Sequence, residues 1–116
     1  MSDAPELLVM NRQVFAERDP DKRRTTIART YTEDVRFTDP DEEVVGRGAL
    51  NDRAQKILDD APAEFVLEED GPAYVGPDIA VQAWRFGPPG DPAVRGIDVL
   101  TIRDGLVSAV LTLIAS

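Results

Sequence analysis

Leu7, Met10 and Val14 follow one another at helical spacing, with Leu8 and Phe15 beside them. Asp3 and Glu6 ahead of that run form a capping-box pattern, so a helix is predicted from the N-terminus onward. Asp19-Pro20 is a second start signal, an N-cap followed by proline at the first helical position. Ile27 and Tyr31 supply an i, i+4 apolar pair for that second helix. A short strand is predicted at Val35-Arg36-Phe37-Thr38-Asp39, stopped by Pro40. A loop of acids (Asp41, Glu42, Glu43) then leads through Gly46 and Gly48 into a third helix, with Leu50, Ala54, Ile57 and Leu58 on one stripe.

Beyond Ala61-Pro62 the pattern changes to strands separated by turn residues. The strands run over 64–74, with a break signal at Gly71-Pro72, and over 79–86, 94–103 and 106–114. Gly87-Pro88-Pro89-Gly90-Asp91-Pro92 reads as a hairpin loop and Asp104-Gly105 as a tight turn. Helices followed by a meander of strands predict an α+β fold, with the helices on one face of an antiparallel sheet. The 116 residues fit one domain, 1–116.

Alternate side chains of a strand share a face, and the apolar face is the inner one. Val35, Phe37 and Asp39 therefore point inward, opposed by Arg36 and Thr38. Asp98 shares a face with Leu100 and Ile102, and Gln82 with Trp84 and Phe86. A carboxylate within an apolar strand costs several kcal/mol unless it is paired or neutralised, which makes Asp98 the most informative acid in the chain. Asp39 precedes a proline and also fits a plain turn role. On the other face lie Ile97, Val99 and Thr101, and the last strand is apolar on both parities, so a homodimer packed sheet to sheet is expected.

Composition narrows the chemistry. A formal charge of −9 disfavours nucleic acid and an acidic membrane surface as partners. The sequence holds no cysteine and no histidine, so thiolate nucleophiles, a Ser-His-Asp triad and the usual metal cages are not expected, and no metal or cofactor is anticipated. Proton transfer in such a chain falls first to carboxylates. No secretory or membrane-spanning pattern opens the chain, so a cytoplasmic location is expected.

The segments Tyr31-Thr-Glu-Asp-Val-Arg-Phe-Thr-Asp39-Pro40, Gly46-Arg-Gly-Ala-Leu50 and Gly96-Ile-Asp98-Val-Leu-Thr-Ile-Arg-Asp-Gly105 resemble the SnoaL-like branch of the nuclear transport factor 2-like superfamily. The resemblance implies a cone-shaped α+β barrel, a curved antiparallel sheet wrapped around an N-terminal helical layer, with a deep pocket and dimers through the sheet. Ketosteroid isomerases of that superfamily are similar at both aspartates. By that likeness Asp39 is the catalytic base and Asp98 a protonated donor to an oxyanion, a pairing that is a standard illustration of carboxyl tuning. The isomerases' tyrosine on the first helix falls near Asn11 or Phe15 here, neither of them a phenol. Limonene-type epoxide hydrolases resemble the chain less, since parity sends Arg36, Arg85 and Arg103 outward. The expected ligand is a small apolar organic molecule, with Phe15, Tyr31, Phe37, Gln82, Trp84, Phe86 and Leu100 contacting it. Two readings stand together: an enzyme of isomerase, cyclase or epoxide-opening type, and a non-catalytic binding or dimerisation module.

Overall fold

The computed structural model describes residues 3–116. Three helices, α1 (Ala4–Ala16), α2 (Pro20–Thr30) and α3 (Arg47–Asp59), pack on the inner face of a curved seven-stranded sheet, an α+β cone. The strands are β1 (Tyr31–Thr38), β2 (Glu43–Val45), β3 (Val66–Glu69), β4 (Tyr74–Gly76), β5 (Ile79–Gly87), β6 (Val94–Arg103) and β7 (Leu106–Ile114). Their order is β2-β1-β7-β6-β5-β3, with β4 pairing β5 beside β3.

The helix starts follow their sequence signals. Asp3 caps α1 by accepting from the Glu6 N–H at 2.9 Å, and Asp19 caps α2 through the N–H groups of Asp21 and Lys22. Arg23, fully buried, pins the helical layer together. Its guanidinium donates to the Glu17 carbonyl at the α1–α2 turn and to Asn51 and Gln55 on α3. Leu7, Val14, Ile27, Leu50, Leu100 and Val110 form the core between this layer and the sheet.

Several expectations need correction. The sheet is mixed, because β1 runs parallel to β7 while the other pairs are antiparallel. The acid loop contains β2, which completes the β1 edge through Glu43 opposite Thr38. Tyr31 is not the last turn of α2; it opens β1 and is fully buried. The break signalled at Gly71-Pro72 is present, and it separates β3 from β4. On β7 a register shift opposite Thr101 and Ile102 changes the parity, so Val107 and Val110 both point inward while Leu111 and Leu113 point out.

One close approach decides how the sheet presents its single tryptophan. Gly96 on β6 lies opposite Trp84 on β5, and a Cβ there would collide with the indole ring and with the Leu113 carbonyl. The ring lies across β6 only because position 96 has no side chain. Gly96→Ala should push the indole off the strand and lower stability by about 1–3 kcal/mol, as overpacking does. Melting curves and tryptophan emission check this: unchanged emission and an unchanged melting temperature would contradict the packing described.

Candidate functional site

A cavity of about 480 Å³ opens between α1, α3 and the inner face of the sheet. That volume lies in the ordinary range for small-molecule pockets, about 300–1,000 Å³. Its walls are mostly apolar. Leu8 and Phe15 come from α1, Phe37 from β1, Ile57 from α3, and Phe86 and Val94 from β5 and β6. Phe15 and Phe37 stack with ring centroids 5.1 Å apart, and Phe86 meets Phe65 edge to face at 5.2 Å.

Asp98 sits half-buried in the cavity wall, and three side chains from three elements donate to it. Asn11 Nδ2 on α1 reaches Oδ2 at 2.9 Å, while Trp84 Nε1 on β5 and Thr112 Oγ1 on β7 reach Oδ1 at 2.9 and 2.8 Å. Behind Asn11, the Tyr31 hydroxyl donates to Asn11 Oδ1 at 2.6 Å. Burial pushes the Asp98 carboxyl above its ordinary value of 3.8, and the bonds from Thr112, Trp84 and Asn11 pull it back only in part. Burial, and then the charge of Asp98, raise the Tyr31 phenol well above its own ordinary value, so it stays a neutral donor.

Asp39 also lines the cavity, just past the end of β1, but its oxygens are committed differently. Oδ1 accepts the backbone N–H groups of Asp41 and Glu42 at 2.9 and 3.0 Å, which closes an Asx-type turn. Oδ2 accepts Nε of Arg53 from α3 at 2.8 Å, and Nη2 of the same guanidinium lies 2.7 Å from it as an ion-pair contact. Its side chain is only 6% exposed. The plain turn role weighed from the sequence is thus present, with a buried ion pair added to it.

Of the other residues expected at the ligand, Phe15, Phe37, Gln82, Trp84 and Phe86 line the cavity. Tyr31 and Leu100 do not: both are fully buried in the core, and Tyr31 reaches the site only through Asn11. Arg36, Arg85 and Arg103 point outward and pair with Glu43, with Glu68 and Asp70, and with Asp34. The guanidiniums of the site come instead from the helices, Arg12 on α1 and Arg53 on α3. Strand parity is silent about side chains projecting from helices, and so missed these two together with Asn11. The spacing of Leu8, Arg12 and Phe15 on α1 was the available signal, since i, i+4, i+7 is one helical face. Among the described residues, no group of three or more acids could hold a metal ion, and no helix is long and apolar enough to cross a membrane.

Solved structures share this architecture. A candidate isomerase of the SnoaL-like family from Agrobacterium tumefaciens superposes with a TM-score of 0.91 over 100% of both chains at 19% identity. A candidate polyketide cyclase from Sinorhizobium meliloti gives 0.74 over 93% of this chain and 94% of its own, at 21% identity. A candidate ketosteroid isomerase from Kribbella flavida gives 0.73 over 95% of this chain and 76% of its own, also at 21% identity. At such identities the likeness concerns the fold. No protein of curated function matches the chain by sequence. The family described as SnoaL-like domain matches residues 10–110, nearly the whole length, and the chain belongs to that family.

Proposed function

We propose that the protein is a cofactor-free acid/base enzyme for a small, largely apolar organic compound, with Asp98 carrying the proton. Isomerisation, cyclisation and epoxide opening all fit that chemistry. The observation that supports it most is a titratable carboxyl, raised by burial, set in the wall of an open apolar cavity. Its partners suit a group that changes charge. A hydroxyl such as Thr112 donates to a carboxylate and can turn to accept from a carboxylic acid, and the Asn11 amide can rotate to do the same. The donors on Asp39 are backbone N–H groups and a guanidinium, none of which can become an acceptor. The base role therefore moves from Asp39 to Asp98, and Asp39 holds the turn and Arg53.

The second reading, ligand binding without chemistry, is favoured by the fact that both Asp98 oxygens already have protein donors. Deuterium exchange separates the two. With 2-tetralone as an enolisable bicyclic probe in heavy water, wild type should exchange the α-hydrogens about 10²–10⁴-fold faster than Asp98→Asn, the usual reach of a positioned acid/base group. Binding of 2-tetralone with exchange no faster than in the variant would establish the binder instead. Asp98→Asn is the informative substitution because the amide keeps an acceptor for Trp84 and Thr112. Asp98→Leu strands three donors, Asn11 among them fully buried, at about 1–3 kcal/mol whatever the function.

Linkage gives an independent test. A carboxyl whose folded pKa is raised contributes most below the ordinary value of 3.8 and loses that contribution as pH rises through the folded value. Wild type should lose stability relative to Asp98→Asn across that window as pH rises. A stability difference that is flat or runs the other way would contradict a raised Asp98.

We also propose that the protein works as a homodimer through its outer sheet face. Cross-strand rows Val81-Val99-Leu111 and Ala83-Ile97-Leu113 form an apolar patch there, with Ile97, Leu111 and Leu113 exposed. Sedimentation at micromolar concentration should give twice the chain mass of 12.7 kDa, and Leu111→Arg should halve it. A wild-type species at the single-chain mass would overturn the dimer.

A further inference from the structure

Tyr31 opens β1, is fully buried and does not line the cavity. Among the described residues its hydroxyl bonds one group, Asn11 Oδ1, at 2.6 Å. Asn11 on α1 is 2% exposed, and its amide bonds only Tyr31 and, through Nδ2, Asp98 Oδ2 at 2.9 Å. The three side chains form a line that starts at the cavity wall and ends inside the core, where no solvent reaches the phenol.

The polarity of that line is forced by the charge at its outer end. An ionised carboxylate only accepts, so Asn11 must turn its N–H groups to Asp98 and its carbonyl to Tyr31. A carbonyl also only accepts, so the phenol, kept neutral by burial and then by the charge of Asp98, must donate. The bonds run in that direction. A donor on the carbonyl polarises the amide and strengthens the bond its N–H makes on the other side, so the phenol acts on the carboxylate through Asn11. It acts on the oxygen that has room for a proton. Each carboxylate oxygen carries two lone pairs; Oδ1 accepts from both Trp84 and Thr112, whereas Oδ2 accepts from Asn11 alone.

A proton on Oδ2 reverses the demand. Asn11 can then offer its carbonyl to Asp98 only by turning its amide, which brings the N–H groups to Tyr31 and makes the phenol accept. The phenol hydrogen is left with no acceptor among the described residues. Its own satisfaction therefore ties Tyr31 to the ionised form of Asp98.

We propose that Tyr31 is a positioning residue that locks Asn11 as a donor and so holds Asp98 Oδ2 in its proton-accepting state; this rests on Asp98 as the proton carrier. No ion pair competes with that influence. The side chains that meet Asp98 from α1, β5 and β7 are the neutral Asn11, Trp84 and Thr112. The charged groups of the cavity bond elsewhere, Arg12 to Gln82, and Arg53 to Asp39 with Asp41 beside it.

Carbon NMR of the carboxyl and phenol carbons of the full chain tests this without turnover. In Tyr31→Phe the Asp98 midpoint should rise by about half a unit or more, at least about a threefold gain in proton affinity. Asn11→Leu, which keeps the volume and removes the amide, should raise it too. Tyr31→Phe added to Asn11→Leu should then move it no further, since the phenol acts only through the amide. A tyrosine that merely fills the core would lower the melting temperature on substitution and leave the midpoint unmoved, and that result overturns the proposal. An equal shift with and without Asn11 overturns it as well.

Wild type alone carries the test should the variants fail to fold. The chain has two tyrosines, and the ring carbon bearing the Tyr31 hydroxyl should move with the Asp98 midpoint while that of the exposed Tyr74 stays still. A Tyr31 carbon indifferent to that midpoint overturns the coupling and leaves Asp98 as it stands. An Asp98 carboxyl with no raised midpoint in wild type overturns the reading on which the coupling rests.

Discussion

A carboxyl group removed from water has to be satisfied by the protein, and in this domain that requirement falls on Asp98. β6 carries it to the inner face of the sheet, where its two oxygens draw donors from α1, β5 and β7. Tyr31, at the start of β1, extends the chain of bonds behind Asn11. The first helix and both neighbouring strands thus converge on one ionisable group, and the helical layer is tied to the sheet through it. The tie does not fill the cavity. The indole that bonds Asp98 lies against Gly96, and the cavity stays open between α1, α3 and the sheet.

The two aspartates that look alike in the sequence differ because their partners differ in what they can do. Asp39 meets groups that only donate, two backbone amides and Arg53, and it fixes the exit of β1 and the approach of α3. Asp98 meets neutral side chains, two of which can reverse their polarity when a proton arrives. Structure and chemistry are therefore not alternatives at Asp98, since the bonds that hold it are also those that let it exist in two states. Arg12 adds a guanidinium to the cavity wall, bonded to Gln82 and 3.9 Å from a Glu69 oxygen, whereas Arg53 is held by Asp39.

The period-2 pattern of the strands carried the reading of the site a long way. It placed Phe37, Asp39, Gln82, Trp84 and Asp98 on the inner face, because a half-buried sheet forces alternation. It could not tell a pocket wall from the core beneath it, which is why Leu100, on the same face as Asp98, lies under the cavity rather than in it. Tyr31 looked helical because the apolar spacing of α2 runs on past Thr30, while the chain turns into β1 at that point. The parallel β1–β7 pairing joins residues some seventy positions apart and leaves no local signal in the sequence. Arg12 and Arg53 were invisible for a different reason, and Asn11 came into view only through the family resemblance: polar residues on amphipathic helices read as solvated, and only the concave face of the sheet makes them inward.

The central claim is that Asp98 titrates within the folded pocket, and carbon NMR of the aspartate carboxyls tests it most directly. In the wild-type protein the Asp98 carboxyl carbon should show its inflection above the ordinary aspartate value of 3.8, and the Trp84 indole N–H resonance should move with the same midpoint. An Asp98 carbon that titrates at or below that value, with a Trp84 resonance indifferent to it, would contradict the account.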